Sequence, residues 1–290
     1  MNALKLLPLS LCLFAGALHA QSLPPESQFG TAKYVEYIPG DLPLIFTSPH
    51  GGALKPESLP NRTYGVLGAD ANTQELTRAA VEQLFVRTGR RAHFVMSHLH
   101  RSKLDPNREI KEAAQDNPDA QRAWNEYHAF IEKAREAAVK RHGYAFLIDM
   151  HGQNHKGERI ELGYLFSPKE LAVGESLNSA ETVAKSSLAL LVKRSGQKHT
   201  DLISGPKSLG ALLAARGWRT TPSPQMPVPD EPYYKGGYTV ARHCKDTTTG
   251  LQLEANRTRL RDTAANRAKF IKDFVPVLIE YLNAHLALKL

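Results

Sequence analysis

Cysteine is nearly absent from this chain, with two among 290 residues. Cys12 lies in an apolar leader, so loss of the leader leaves Cys244 alone and excludes an intramolecular disulfide. Cys244 itself reads as a small buried filler rather than a reactive thiol. Long hydrophobic runs are missing beyond the leader, which excludes a membrane-spanning helix there. Runs of lysine and arginine are missing too, although 37 basic and 29 acidic side chains give a net charge of +8. The basic residues are scattered among acids and form no patch interleaved with aromatics, so nucleic acid is not an expected partner. No internal repeat, low-complexity block or linker divides the chain.

What is present begins with residues 1–20, which have the layout of a signal peptide: a basic start, a short apolar stretch and Ala20 before Gln21. Export to the periplasm or beyond is therefore expected, with no membrane association after cleavage. Residues 21–33 read as an exposed N-terminal arm. Residues 34–290 read as one domain, long enough to bury a substantial core.

Strand and helix patterns alternate through that domain. Residues 34–38, 42–46, 92–99, 144–148, 160–166 and 250–254 read as strands, while 70–88, 119–141, 177–194, 208–216 and 264–288 read as helices. Segment 220–232, with five prolines, is expected to be a surface excursion or lid, and Pro276 to bend the last helix. The alternation predicts an α/β fold, a single three-layer α/β/α domain with a mixed, largely parallel sheet.

Two of these strands run into His-Gly: Thr47-Ser48-Pro49-His50-Gly51-Gly52 and Asp149-Met150-His151-Gly152. Histidines on turns at the carboxyl ends of parallel strands stand where such sheets bind ligands and metals. A catalytic zinc takes two or three imidazoles, usually a carboxylate, and keeps one position open. His50 and His151 supply the imidazoles for one Zn2+ ion. Asp70, at the start of the first helix, is the expected carboxylate, with Glu75 as the alternative. Asp149 is read either as facing away from His151 or as accepting an imidazole N–H. His98 and His100 are spare ligand candidates.

Glu254 interrupts an apolar strand, where burial raises a carboxyl towards the range of a general base, unless Arg257 or Arg261 pairs with it. Arg101 is a candidate oxyanion stabiliser. Asn107 and Arg108, on the same loop, offer donors suited to a substrate carboxylate, with Asp105 or Glu109 as competing partners for Arg108. Residues 233–238 carry paired glycines among tyrosines and suggest a mobile flap, so Tyr238, Arg242 and His243 are candidate substrate contacts.

Taken together, Ser48 to Gly52, Asp70 with Thr73 and Leu76, Arg101 to Arg108, Asp149 to Gly152, Gly236-Gly237-Tyr238, and Glu254 with Arg257 and Arg261 resemble the N-formylglutamate amidohydrolase family. The resemblance implies a fold and site layout like those of zinc carboxypeptidases. It implies a zinc on two histidines and a carboxylate, a glutamate base late in the chain, and an Asn-Arg clamp on the substrate carboxylate. Those roles fall on His50, Asp70 or Glu75, His151, Glu254, and Asn107 with Arg108. Two features depart from the pattern: the export signal, and the twenty residues that separate His50 from Asp70 where zinc peptidases use H-x-x-E.

The leading expectation is a zinc-dependent hydrolase of an amide C–N bond in a small acidic molecule, such as an N-acyl amino acid or a peptide end. The alternatives are a periplasmic carboxypeptidase acting on longer peptides and a non-catalytic binding protein for acidic ligands.

Overall fold

A computed structural model describes residues 26–290. The expected signal at 1–20, and the part of the arm before residue 26, lie outside the described residues. Eight strands form one sheet: β1 (Gln28–Phe29), β2 (Val35–Ile38), β3 (Leu44–Ser48), β4 (His93–Ser97), β5 (Ala145–Gln153), β6 (Ile160–Gly163), β7 (Thr220–Thr221) and β8 (Thr248–Asn256). Their spatial order is β1-β2-β4-β3-β5-β8-β6-β7. The inner four, β4-β3-β5-β8, are parallel, while β2 and β6 run antiparallel to them at either side. The sheet is thus mixed and parallel at its centre, as the alternating pattern predicts.

Ten α-helices accompany it among the described residues. The long ones are α1 (Thr73–Thr88), α3 (Pro118–His142) and α10 (Ala264–Leu286), and short α2 (Ile110–Ala114) precedes α3. Between β6 and β8 come α4 (Pro168–Leu171), α5 (Ala180–Lys185), α6 (Ala189–Ser195), α7 (His199–Ser204), α8 (Leu209–Ala215) and α9 (Tyr238–His243). Leu44, Phe46, Phe146, Ile148, Leu251 and Leu253 turn to one side of the sheet and pack with residues of α1 and α10. Ile45, Ala145 and Leu147 turn to the other side and pack with α3. This is the period-2 alternation of strands buried on both faces.

Several boundaries differ from the sequence reading. Residues 177–194 are not one helix: Ser186 is extended, its hydroxyl accepts from Leu188 N at 3.0 Å, and α5 and α6 separate there. Serine competes for backbone groups in this way and breaks helices where tertiary contacts favour it. Segment 220–232 opens as a buried edge strand, β7, paired in parallel with β6, and then runs largely exposed from Pro224 to Pro232 as the expected surface excursion. The last helix runs through Pro276. Two strands are longer than their apolar cores, and the additions matter: β5 continues through Asp149, His151 and Gln153, and β8 through Asn256.

Candidate active site

On the α3 side of the sheet the inward residues change character at the carboxyl ends of the strands. Ile45 is followed two residues on by Thr47, Leu147 by Asp149 and His151, and Gly250 by Gln252 and Glu254. The register sets Thr47 beside Asp149, Asp149 beside Gln252, His151 beside Glu254, and Glu254 beside Glu161. Residues paired across neighbouring strands share a face in parallel and antiparallel ladders alike, so these polar groups form adjoining rows across four strands. His151 therefore lies within β5 and not on a turn after it, whereas His50 lies on the bend after β3 as expected. Asp149 shares the face of His151 because residues i and i+2 of a regular strand point the same way.

His50 and His151 approach edge to face, with ring centroids 4.7 Å apart. Nδ1 of each lies 3.3 Å from the same oxygen, Asp70 Oδ2. On the far side of each ring, Nε2 meets a buried carboxylate, Asp105 at 2.6 Å for His50 and Asp149 at 2.8 Å for His151. Assigning the ring hydrogens from these contacts makes each Nε2–H a donor to its aspartate and directs both Nδ1 atoms at the centre, where a bound cation would meet their lone pairs. Thr47 Oγ1 donates to the other Asp149 oxygen at 2.6 Å, and Asn107 N donates to Asp105 Oδ1 at 3.1 Å.

Asp70 reaches this centre although twenty residues separate it from His50. Gly52 leaves no room for a Cβ, which would stand 2.4 Å from the His98 carbonyl carbon, so the chain passes flush against the loop after β4. The 53–69 loop then returns, and Asp70 N donates to His50 O at 3.0 Å. Thr73 N and Oγ1 bond Asp70 O at 3.2 and 2.8 Å, which fixes Asp70 just before α1. The N-cap residue is Asn72, in a left-handed conformation and without a side-chain cap bond, so the Asp70 carboxylate is free to face the imidazoles. Glu75 is exposed on α1. The carboxylate of the cluster is Asp70, and the alternative is set aside.

The donor set fits a zinc ion. One ligand atom from each of His50, Asp70 and His151 lies within 4.8 Å of the others, and all three residues are buried. A tetrahedral ion with ligands at about 2.0–2.1 Å holds neighbouring ligand atoms roughly 3.3–3.4 Å apart. Both Nδ1–Oδ2 separations are 3.3 Å, longer than the charge-assisted hydrogen bonds on the Nε2 sides.

Electrostatics follow from this crowding. Burial opposes charge on Asp70, yet the adjacent His50 and His151 outweigh it and hold its carboxyl well below the usual range. Burial likewise opposes protonation of His151, but Asp149, Asp70 and Glu254 together hold its imidazole well above the usual value. Glu254 responds oppositely. Burial, then the nearby Asp70 and Glu161 charges, raise it to about 8 against the pull of His151 and Arg101. Its Oε1 accepts from Gln252 Nε2 at 2.9 Å, while Oε2 is buried without a partner. Neither arginine weighed as an ion-pair partner reaches it. Arg257 is exposed, and Arg261 donates to the Ala255 and Gln153 carbonyls at 3.0 and 3.1 Å and also to Ala71 O.

A cavity of about 320 Å³ opens on this cluster, lined by His50, Asp70, His151, Glu254, Arg101, Asn107 and Arg108 among others. Arg101 bridges two carboxylates, with Nε 2.9 Å from Asp105 and Nη1 3.5 Å from Asp70. Asn107 is held by Thr239 N, which donates to Oδ1 at 2.8 Å. Arg108 meets Glu112 at 3.3 Å, not Asp105 or Glu109, with a third of its side chain exposed. The structure does not bring Tyr238, Arg242 and His243 to the cavity. Arg242 stacks over Trp124 and donates to the Tyr238 hydroxyl at 2.8 Å, and His243 bonds His128 and Glu132 at 2.8 and 2.9 Å. His98 pairs with Glu36 and His100 with Ser102, away from the centre.

Sequence reasoning gave Asp105 only as a competing partner for Arg108, passed over Gln252 and Glu161, and treated 233–238 as a flap. Residues 233–237 instead form a wall of the cavity, strapped to β6 and the turn after it by Tyr233 Oη to Leu162 O at 2.7 Å, Tyr234 N to Glu161 at 3.0 Å and Leu165 N to Lys235 O at 2.6 Å. The only available signal for Gln252 and Glu161 was their polarity inside apolar strands.

No family model matches the sequence, and no curated protein matches it. Solved structures do. An N-formylglutamate amidohydrolase from Ralstonia eutropha JMP134 aligns over 91% of this chain and 99% of its own, with TM-score 0.56 at 15% identity. A gene product from Agrobacterium tumefaciens aligns over 89% and 99%, with TM-score 0.50 at 15% identity. The chain shares the fold of these proteins.

Proposed function

We propose that this protein is a zinc-dependent hydrolase that cleaves an amide C–N bond in a small, carboxylate-bearing molecule. One observation carries the reading: two imidazole Nδ1 atoms stand 3.3 Å from one Asp70 oxygen while a buried aspartate anchors the back of each ring. Two neutral imidazoles and a carboxylate, with the remaining direction open to a cavity, make the donor set of a catalytic rather than a structural zinc. The likeness in fold to an N-formylglutamate amidohydrolase supports the same reaction class.

When bound there, zinc supplies Lewis-acid polarisation of the amide carbonyl and acidifies water. The chain's own residues supply the rest. Glu254 Oε2 is the unpartnered base that takes a proton from the attacking water and returns it to the leaving nitrogen. Its proton affinity, raised by burial and by Asp70, falls once positive charge is held beside it. Arg101, fixed by Asp70 and Asp105, presents its guanidinium to developing negative charge. Asn107 and Arg108 orient the substrate carboxylate. A cavity of about 320 Å³ is at the small end of ligand pockets, which supports a metabolite-sized substrate over an extended peptide. Export, read from residues 1–20, belongs to the same proposal and is tested by sequencing the mature N-terminus.

The experiment is metal analysis of the purified protein together with amidase assays of the wild type and Glu254→Gln on N-acyl amino acids. One zinc per chain and loss of turnover in the variant are expected. A protein that binds no divalent metal, or a variant with full activity, overturns the reading.

A further inference from the structure

The floor of the cavity is polar, but its walls carry two half-exposed apolar side chains. Val66 is 51% exposed and Tyr234 is 49% exposed, and both line the cavity. Neither gains much for folding at that exposure, yet both backbones are tied down by buried charged residues. The Arg62 guanidinium donates through Nη1 to Val66 O at 2.8 Å and to Arg101 O at 3.0 Å, so one buried group links Val66 to an arginine of the floor. Glu161, fully buried, accepts from Tyr234 N at 3.0 Å and stands beside Glu254 in the sheet register. Its other oxygen takes His155 at 2.8 Å and Arg159 at 3.2 Å, and Arg159 also donates to Pro232 O at 2.9 Å at the start of the strap. The Tyr234 ring lies over His155 with centroids 4.9 Å apart. Among the described residues its hydroxyl makes no hydrogen bond, and Glu254, Asp70 and Arg101 are the charges that act on it most.

Backbones tied down in this way hold both side chains at the cavity wall, which meets part of the ordering cost before a ligand binds. We propose that Val66 and Tyr234 form a nonpolar clamp on the cavity wall, and that the substrate is an N-acyl amino acid bearing an apolar acyl group or side chain, not a formyl group on an acidic residue. This deepens, and rests on, the amidohydrolase reading above. A small apolar contact of this kind discriminates substrates by one to two orders of magnitude.

The test uses the zinc-loaded full-length mature protein with N-formylglutamate, N-hexanoylglutamate and N-formylphenylalanine. The readout is the ratio of kcat/KM for either apolar substrate to that for N-formylglutamate. A wild-type ratio of about ten or more is expected, falling about tenfold in Val66→Ser and in Tyr234→Ser but kept in Tyr234→Phe. A wild type that prefers N-formylglutamate, or serine variants with an unchanged ratio, overturns the clamp. Loss in Tyr234→Phe equal to that in Tyr234→Ser also overturns it, since the hydroxyl would then be the recognising group. If the wild type hydrolyses none of the three, the amidohydrolase reading fails and the clamp is read by calorimetric binding of N-hexanoylglutamate against N-acetylglutamate. Tighter binding of the hexanoyl compound, lost in Val66→Ser, upholds the clamp, and equal affinities overturn it.

Discussion

Asp149 and His151, two residues apart on one strand, face the same way, and the aspartate accepts the imidazole Nε2–H at 2.8 Å. The same strand geometry that brings them together also turns Nδ1 of His151 towards Asp70. Asp105 does the same for His50 from a loop. The two histidines proposed as metal ligands are thus oriented from behind by carboxylates that never face the cavity.

Removing the negative charge behind one ring lowers ligand basicity and loosens its tautomer. Asp149→Asn and Asp105→Asn are each expected to weaken zinc affinity by about 10–100-fold. Competition titration with a chromophoric chelator measures this directly, and affinities equal to the wild type would show that the rings need no such support.

The choice between Asp70 and Glu75 separates cleanly by mutation. Asp70→Ala removes the oxygen common to both imidazoles and leaves two buried histidines around a gap, so zinc binding should be lost. Glu75 is exposed on α1, and Glu75→Ala should leave zinc content unchanged and stability within about 0.5 kcal/mol. Metal analysis and thermal denaturation of both variants check the pair.

Glu254 connects activity to the pH dependence of stability. Its carboxyl holds a proton more tightly folded than unfolded, with a folded value of about 8 against the ordinary 4.5. That contribution stabilises the metal-free fold on the acid side and is lost as pH rises from 4.5 through 8. His151, also raised, acts in the same direction above its ordinary 6.5. Asp70 is lowered, so its contribution is present above the ordinary 3.8 and fades as pH falls through its folded value. In chelator-treated protein at pH 8, Glu254→Gln is therefore expected to raise Tm by about 2–4 °C, while in the zinc-loaded protein kcat falls by about 100-fold or more. A lower Tm in the variant at that pH would show that Glu254 is charged and stabilising in the fold.

Gly152 follows His151 because Arg261 lies over it. A Cβ there would stand 2.4 Å from the guanidinium carbon, and that guanidinium satisfies the carbonyls of Ala255, Gln153 and Ala71. Gly152→Ala should destabilise the protein by about 2–4 kcal/mol through strain and unpaired carbonyls. Denaturant unfolding at constant m-value is the measurement, and a change below about 0.5 kcal/mol would mean that Arg261 moves aside freely.

The sequence by itself determined the layers and singled out three of the polar positions that the fold brings to one cavity. Apolar alternation marked strands buried on both faces, helical spacing marked α1, α3 and α10, and His-Gly after two strands together with a carboxylate inside a third singled out His50, His151 and Glu254. These are local signals, set by side-chain period and residue type within one element. Tertiary structure decided what depends on groups far apart in the chain. The bond from Asp70 N to His50 O closes a twenty-residue loop and selects Asp70 over Glu75. The register of β5, β8 and β6 sets Glu161 and Gln252 about Glu254. The packing of α9 against Trp124 and His128 draws Tyr238, Arg242 and His243 away from the cavity and leaves its wall to residues 233–237. Loop closure and strand register are fixed by contacts between distant segments, and no spacing within one segment encodes them.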